Sequence, residues 1–365
     1  MSKDLIEKLN YSLRMMNLIE WIAVSLGTSD DYARSVFVRH GLIYLDSFVR
    51  YGQQVRNRLS PKDTEQRKKL DVVKRDLTEL HDDFRLRLIP HSDYLQIRTE
   101  LTAHRHDIST EERIDAWKRI PAAFADYNNR AVYIYAELAM LDVAIPTFKT
   151  SPDTTDQRLK KYLADAVPVA ENLARVGVDN LAYVRPGTIA IIEHDEIHRR
   201  LAQVLSILHT IKITANLYKL ARDKSDTSRL LKAMLIVDAI SLIENVYHDP
   251  SGRIGDTLLR IAYKHHMPCA SVLGTGARDI DGRVEIKLRF VRNKMGAHVD
   301  DQEPLAVLVQ ALDDISREDL SAIIDSIGKT ISDCSRIDEF IRARTIMQDS
   351  ELPGVHTPVA TRRWT

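Results

Sequence analysis

The sequence predicts an all-α protein, organised as two helical bundles joined by a short connector with some β character. Three observations carry the prediction. Apolar residues recur at three- and four-residue spacing over long stretches. Glycine is scarce, at 13 of 365 residues. Polar residues of the kind that cap helices stand ahead of the periodic runs.

The elements run in order along the chain. Residues 30–59, DDYARSVFVRHGLIYLDSFVRYGQQVRNRL, form an amphipathic helix with an Asp pair at its N-terminus. Residues 60–84, SPKDTEQRKKLDVVKRDLTELHDDF, come next, with Ser60 as the expected cap and the charge pattern of an exposed helix. STEERIDAWKRI, from Ser109, starts with a capping-box pattern, Ser109 to Glu112. Pro121 and Pro146 are expected to break or kink the segments after them. TSPDTTDQ, 150–157, reads as a loop. LAYVRPGTIAII, 181–192, sets β-branched residues around a Pro-Gly turn signal and reads as a small hairpin or an extended connector. The end, QDSELPGVHTPVATRRWT, reads as a mobile tail. The domain expectation is therefore a helical domain over 1–150, a connector over 151–200, a second helical domain over 201–345 and a tail over 346–365.

Composition narrows the class. Hydrophobic residues make up 44% and charged residues 28%, as in a soluble globular protein. Lys+Arg and Asp+Glu are both 52, so net charge gives no global pull toward nucleic acid or membrane, and a polyanion would need a local basic patch. The two cysteines, Cys269 and Cys334, make neither a disulfide framework nor a thiolate cage, which points to a reducing cytoplasm. MSKDLIEKLN lacks the apolar core of a signal peptide. Leu201 to Ala221 is the best candidate for a membrane span, but His209, Lys212 and Lys219 make it read as a buried helix instead.

A weak internal repeat is visible. LIYLDSF (42–48) matches MLIVDAI (234–240), with Asp46 opposite Asp238. At nearly the same offset, RTELTAH (98–104) matches RNKMGAH (292–298). With 34 Arg and 13 His, chance placement gives about 1.2 occurrences of Arg-x5-His. The chain has six; the others are Arg34/His40, Arg75/His81, Arg85/His91 and Arg260/His266. Flanks separate the chosen pair. Each has an aliphatic residue before the arginine (Ile97, Val291), a polar residue after it (Thr99, Asn293), Ala before the histidine, and Asp within three positions beyond it (Asp107, Asp300). Arg34/His40 sits inside an apolar helix, Arg85/His91 has Pro90 before its histidine, and Arg260/His266 has Ile261 where a polar residue is wanted. Arg75/His81 is harder to set aside, because Asp76 comes directly after its arginine.

RNKMGAH resembles the signature of HEPN domains, helical bundles whose ribonuclease members carry Arg, a polar residue, four variable positions and His. RTELTAH is similar, with Thr99 where Asn, His or Asp is usual. The resemblance covers the motif and its preceding helices in each half. It implies HEPN-like bundles, a ribonuclease activity, and a cleft shared by two copies. The setting it implies is a prokaryotic defence or toxin system, with an antitoxin or regulatory protein as partner.

The residue types suit such chemistry. A base takes the RNA 2′ proton, the oxygen attacks phosphorus, and an acid protonates the leaving 5′-oxygen, so no metal or other cofactor is required. His104 and His298 suit either role, since an imidazole holds or gives a proton near neutrality. Arg98 and Arg292 suit the phosphorane through a permanently charged, forked guanidinium. Asn293 is placed to orient the histidine or a phosphate oxygen. On an ideal helix Arg292 and His298 stand about 120° apart and about 9 Å along the axis. Two copies across a two-fold axis complete a site better than one, within this chain or in a homodimer. GRVEIKLRFVRNK concentrates Arg283, Lys287, Arg289, Arg292 and Lys294 into a basic patch fit for RNA backbone, and Arg105 with His106 extends the first copy the same way.

Three other signals carry less. HDEIH, His194 to His198, has zinc-ligand spacing but Asp195 where a metalloprotease needs Glu, and it lacks an evident third ligand. HRHD, 104–107, reads as solvated surface. GTGAR, 274–278, lacks a preceding strand and the Lys-Ser/Thr of a phosphate loop, so it reads as a turn. The leading expectation is a cytoplasmic, metal-independent endoribonuclease, with no membrane association. The alternative is a non-catalytic helical module that binds RNA or a protein. A zinc hydrolase using His194 and His198 stands third.

Overall fold

Helix α1, Lys3–Ser25, contributes Leu5, Leu9, Leu13, Met16 and Ile19 to the core, together with residues on its other faces. In the computed structural model the described residues are 2–25, 31–86, 110–165, 211–243, 282–295, 299 and 302–325; the side chains of 31–36, 84–86, 110–123, 241–243 and 282–285 lie outside that description. Every regular element among them is a helix, and the fold is all-α.

Among the described residues, the first half holds four long helices. They are α1, α2 (Asp31–Arg58), α3 (Thr64–Leu86) and α4 (Thr110–Leu141). Helix α2 packs against the other three. Its approach to α4 depends on Gly41, where a Cβ would lie 2.3 Å from Phe124 Cζ. Helix α3 buries one stripe, Leu70, Val73, Leu77 and Leu80, at helical spacing. Its other faces carry the expected charges, including Lys69–Glu65 and Arg75–Glu79 pairs. The cap of α3 differs from the sequence expectation. Asp63, not Ser60, accepts from the Gln66 N–H at 2.8 Å, and Gln66 Oε1 accepts from the Lys62 N–H at 2.9 Å. The three-residue offset puts Asp63, not Ser60, within reach of the exposed amides of the first turn. Pro121 does not end α4, which runs through it as one helix.

After α4 the chain makes a single 3₁₀ turn, Pro152–Thr155, capped by Ser151, where the sequence suggested a loop. Helix α5 is described over 157–165 and α6 over 211–220, and α7 is Asp226–Ile243. Then come α8 (Gly282–Met295), α9 (Leu305–Asp313) and α10, described over 317–325. Helix α7 is buried on nearly all sides, and α8 and α9 pack on it.

Helices α7 and α9 also draw capping partners from other elements. Asp153 accepts from the Thr227 N–H at 2.7 Å, at the start of α7. Pro304 gives α9 no side-chain cap, and Asp4 of α1 accepts from the Leu305 N–H at 2.7 Å instead. At the other end, Lys232 Nζ donates to the Leu312 and Ile315 carbonyls at 3.1 and 2.8 Å, and Arg229 forks onto Asp313 at 2.9 and 2.8 Å. Acid at the N-terminus and base at the C-terminus match the helix dipole. One apolar cluster runs from α1 through α7 to α10. Among the described residues, no helix is long and apolar enough to cross a membrane.

Candidate functional site

Two sets of polar side chains stand on helices that the core holds in place. The first lines the α8 surface. Leu288, Val291 and Met295 point into the core, so the outer face is left to Ile286, Lys287, Arg289 and Asn293, all exposed, flanked by half-buried Arg292 and Lys294. The Arg292 guanidinium donates to Asn293 Oδ1 at 3.3 Å. The first two residues of RNKMGAH thus sit together on the last turn of a core-anchored helix. Arg292 and Lys294 also oppose the negative end of the α8 dipole, which stabilises the helix whatever else they do.

The second set lies on the inner side of α2. Arg39 Nη2 donates to Asp238 Oδ2 of α7 at 2.5 Å, and His40 Nε2 lies 3.1 Å from the same oxygen. Since a carboxylate oxygen only accepts, His40 carries a proton on Nε2. All three residues are essentially buried, so they form an ion cluster that bridges α2 and α7. Further along α2, Asp46 pairs with Arg50 at 3.1 Å. Ser47 Oγ accepts from the Val299 N–H at 3.1 Å, and Tyr51 OH donates to the Val299 carbonyl at 2.6 Å. Lys8 Nζ lies 5.8 Å from the centre of the Tyr51 ring. Nearby in α1, Tyr11 meets Tyr44 edge-on, and burial pushes both phenols well up from their ordinary value.

Of the residues expected to form the site, Lys287, Arg289, Arg292, Asn293 and Lys294 are together on α8. Arg283 belongs to the same helix, with its side chain outside the described residues. Arg98, His104, Arg105 and His298 lie outside them, as do His106, Arg85/His91, Arg260/His266, the 181–192 connector, HDEIH, GTGAR and the tail. Arg75 and His81 both lie on α3, where Arg75 pairs with Asp76 and Glu79 and His81 with Asp82. That is a solvated ion-pair ladder. His40, set aside above for lying in an apolar helix, belongs to a buried cluster through Asp238. The matched aspartates of the repeat are both buried and both on helices. Asp238 takes Arg39 and His40 from the other half, while Asp46 takes Arg50 from its own helix.

Sequence reasoning passed over Arg39, Ser47 and Tyr51. A signal was available: each is a polar-headed residue on a helix whose spacing otherwise reads as core. Among the described residues, no group of three or more His, Cys, Asp or Glu side chains is placed to hold a metal ion. No family model matches the chain, and neither a curated protein nor a solved structure matches it.

Proposed function

We propose that the chain is a metal-independent endoribonuclease of the HEPN type. Its RNA site takes Arg292, Asn293 and His298 from the α8 region and Arg98 and His104 from the first half. The observation that supports this reading is the partition of α8. Three residues anchor it in the core, and the Arg-Asn start of the motif stands on its outer turn beside Lys287, Arg289 and Lys294. In this reading the basic face holds RNA phosphates, Arg292 and Arg98 stabilise the phosphorane, and the two histidines exchange protons. The reaction is attack of the ribose 2′-oxygen on phosphorus with loss of the 5′-oxygen, leaving a 2′,3′-cyclic phosphate. No metal or cofactor takes part. The proposed setting is a prokaryotic cytoplasm, with an antitoxin or regulatory protein as partner. The two motif copies meet within the chain or across a homodimer.

The test is cleavage of RNA and of DNA by the wild-type protein and by His298→Ala, Arg292→Ala and His104→Ala, with and without a metal chelator. Expected are chelator-resistant cleavage of RNA alone, its loss in His298→Ala and Arg292→Ala, and a milder effect of His104→Ala because Thr99 departs from the usual pattern. Cleavage that stops with chelator yet survives His298→Ala overturns the mechanism in favour of His194 and His198. Binding of RNA without cleavage by the wild-type protein overturns it in favour of a non-catalytic binding module.

A further inference from the structure

The hairpin that joins α2 to α3 carries an excess of positive charge that helix stability does not account for. From Arg56 to Arg75 there are eight cations and three carboxylates, in a chain whose net charge is zero. Two of those carboxylates are engaged, Asp63 as the cap of α3 and Glu65 with Lys69. Arg75 turns to Asp76 and Glu79 further along the helix. That leaves Arg58, Lys62, Arg67, Lys68 and Lys74, all exposed. Among the described residues, none of the five pairs with a carboxylate. Arg58 suits the negative end of the α2 dipole, but Arg67 and Lys68 stand near the positive end of α3, where acid is favoured.

The scaffold under these side chains is fixed. Val55, Leu70 and Val73 are buried, and Leu59 packs against the core. The turn is closed by the paired hydrogen bonds of Asp63 and Gln66. Arg67 and Lys74 are seven residues apart on α3, nearly in line and separated by about 10 Å along the axis. Among the described residues, none of the exposed large apolar side chains falls in the hairpin, so it lacks the greasy face of a helix that lies on a membrane. Nor does it hold a Phe, Tyr or Trp between Gly52 and Asp83. Unpaired RNA is gripped by stacking its bases on aromatic rings, whereas base-paired RNA is met at its phosphates and by its shape. We propose that the hairpin is a docking surface for the phosphate backbone of base-paired RNA, with Arg58, Lys62, Arg67, Lys68 and Lys74 as its contacts. The proposal rests on RNA being the ligand of this chain, not on cleavage, and it gives the ribonuclease reading a substrate class, an RNA with a paired stem. Helix α2 ties this surface to the α8 region: Tyr51, whose hydroxyl donates to the Val299 carbonyl, stands seven residues before Arg58, about 10 Å along the same helix.

The experiment measures binding of a fluorescent 2′-O-methyl RNA duplex across a salt series. That probe keeps the phosphates and cannot be cut through its 2′-oxygen. Wild type is compared with Arg67→Ala/Lys68→Ala/Lys74→Ala and with Arg158→Ala/Lys160→Ala/Lys161→Ala, which removes the same charge from exposed positions of α5. Circular dichroism checks folding, and Arg58→Ala/Lys62→Ala repeats the test outside the body of α3. The hairpin triple variant should lose about three from the salt slope, one per phosphate contact, and bind on the order of a hundredfold more weakly at about 0.1 M salt. Arg58→Ala/Lys62→Ala should lose about two from the slope. The α5 variant should bind like wild type, and an unpaired 2′-O-methyl oligouridylate should bind wild type more weakly than the duplex. Duplex binding by both hairpin variants at wild-type strength and slope overturns the inference, as does an equal loss in the α5 variant or a preference of wild type for the unpaired strand. Loss of binding to phosphatidylserine vesicles, with RNA binding intact, assigns the hairpin to a membrane and overturns it too. A wild-type protein that binds neither RNA removes the RNA reading itself, and the hairpin proposal with it.

Discussion

Neutralising Asp238 should destabilise the protein more than any other single change of equal volume in α7. Arg39 is 0% exposed, and its guanidinium lies 2.5 Å from the Asp238 carboxylate, itself 2% exposed. Asp238→Asn keeps the shape and removes the charge. The guanidinium cannot respond by losing a proton, so a buried cation is left without that counter-charge. Removing one partner of a buried pair in this way costs about 3–5 kcal/mol. If the 365 residues unfold cooperatively, their unfolding entropy is about 0.8 kcal/mol/K, and the loss reads as a fall in Tm of about 4–6 °C. Arg39→Met should cost less, because the carboxylate it leaves behind keeps His40 Nε2 at 3.1 Å. Arg39→Met/Asp238→Leu removes both charges and should recover much of the stability lost in Asp238→Asn. Thermal melts at pH 7 of wild type, Arg39→Met, Asp238→Leu and Arg39→Met/Asp238→Leu close the cycle, with Asp238→Asn measured alongside. The reasoning fails if Asp238→Asn melts within about 1 °C of wild type, or if the double variant is as unstable as the sum of its parts.

Four further outcomes are expected. Gly41→Ala places a Cβ against the Phe124 ring and should cost about 1–3 kcal/mol, with partial recovery in Gly41→Ala/Phe124→Leu; denaturant titration measures both. Lys232→Met removes the charged donor shared by the Leu312 and Ile315 carbonyls, of which Leu312 keeps the Ile315 N–H, and should cost about 1.5–3 kcal/mol, read as a lower denaturation midpoint. Burial pushes the Tyr11 and Tyr44 phenols well up and Tyr127 to about 12, so above pH 10 the unfolded chain binds fewer protons than the folded one and stability falls as pH rises. Tyrosinate absorbance should therefore complete its rise only as helicity is lost; full ionisation with helices intact contradicts this. Lys287→Ala and Arg289→Ala should each weaken RNA binding alike for all sequences and lower the salt slope by about one, whereas salt-insensitive binding points to a protein partner.

The helices themselves were legible because their apolar spacing is regular and their stripes are long. Leu70, Val73, Leu77 and Leu80 show it in α3, and Leu288, Val291 and Met295 in α8. Caps were less legible, since a cap depends on which oxygen reaches the first amides. Asp63 displaced Ser60 by three residues, and α9 takes its N-terminal acceptor from Asp4, about 300 positions away. Pro121 does not break α4, although an interior proline removes a ladder hydrogen bond, so the break that the residue type suggested is not met.

The polar clusters of α2 mark where reading by pattern stops. An Asp within MLIVDAI announces a buried charge that needs a partner, but a one-dimensional pattern does not say which cation supplies it. The partner lies in the other half of the chain, at Arg39 and His40, and the pair lies at the contact between α2 and α7. Ser47 and Tyr51 are harder still, because they bond to backbone, and a backbone partner leaves no trace in residue type. The basic face of α8 was readable for the opposite reason: charges at helical spacing on an exposed surface need no partner to be seen. Helix α2 therefore joins what the sequence displayed to what it concealed. One face carries Arg39 and His40 to Asp238, and two turns later Ser47 and Tyr51 hold the chain just beyond the Arg-Asn pair of α8. A change that shifts α2 along its axis should disturb both sets together, while a change in either set alone should leave the other's hydrogen bonds in place.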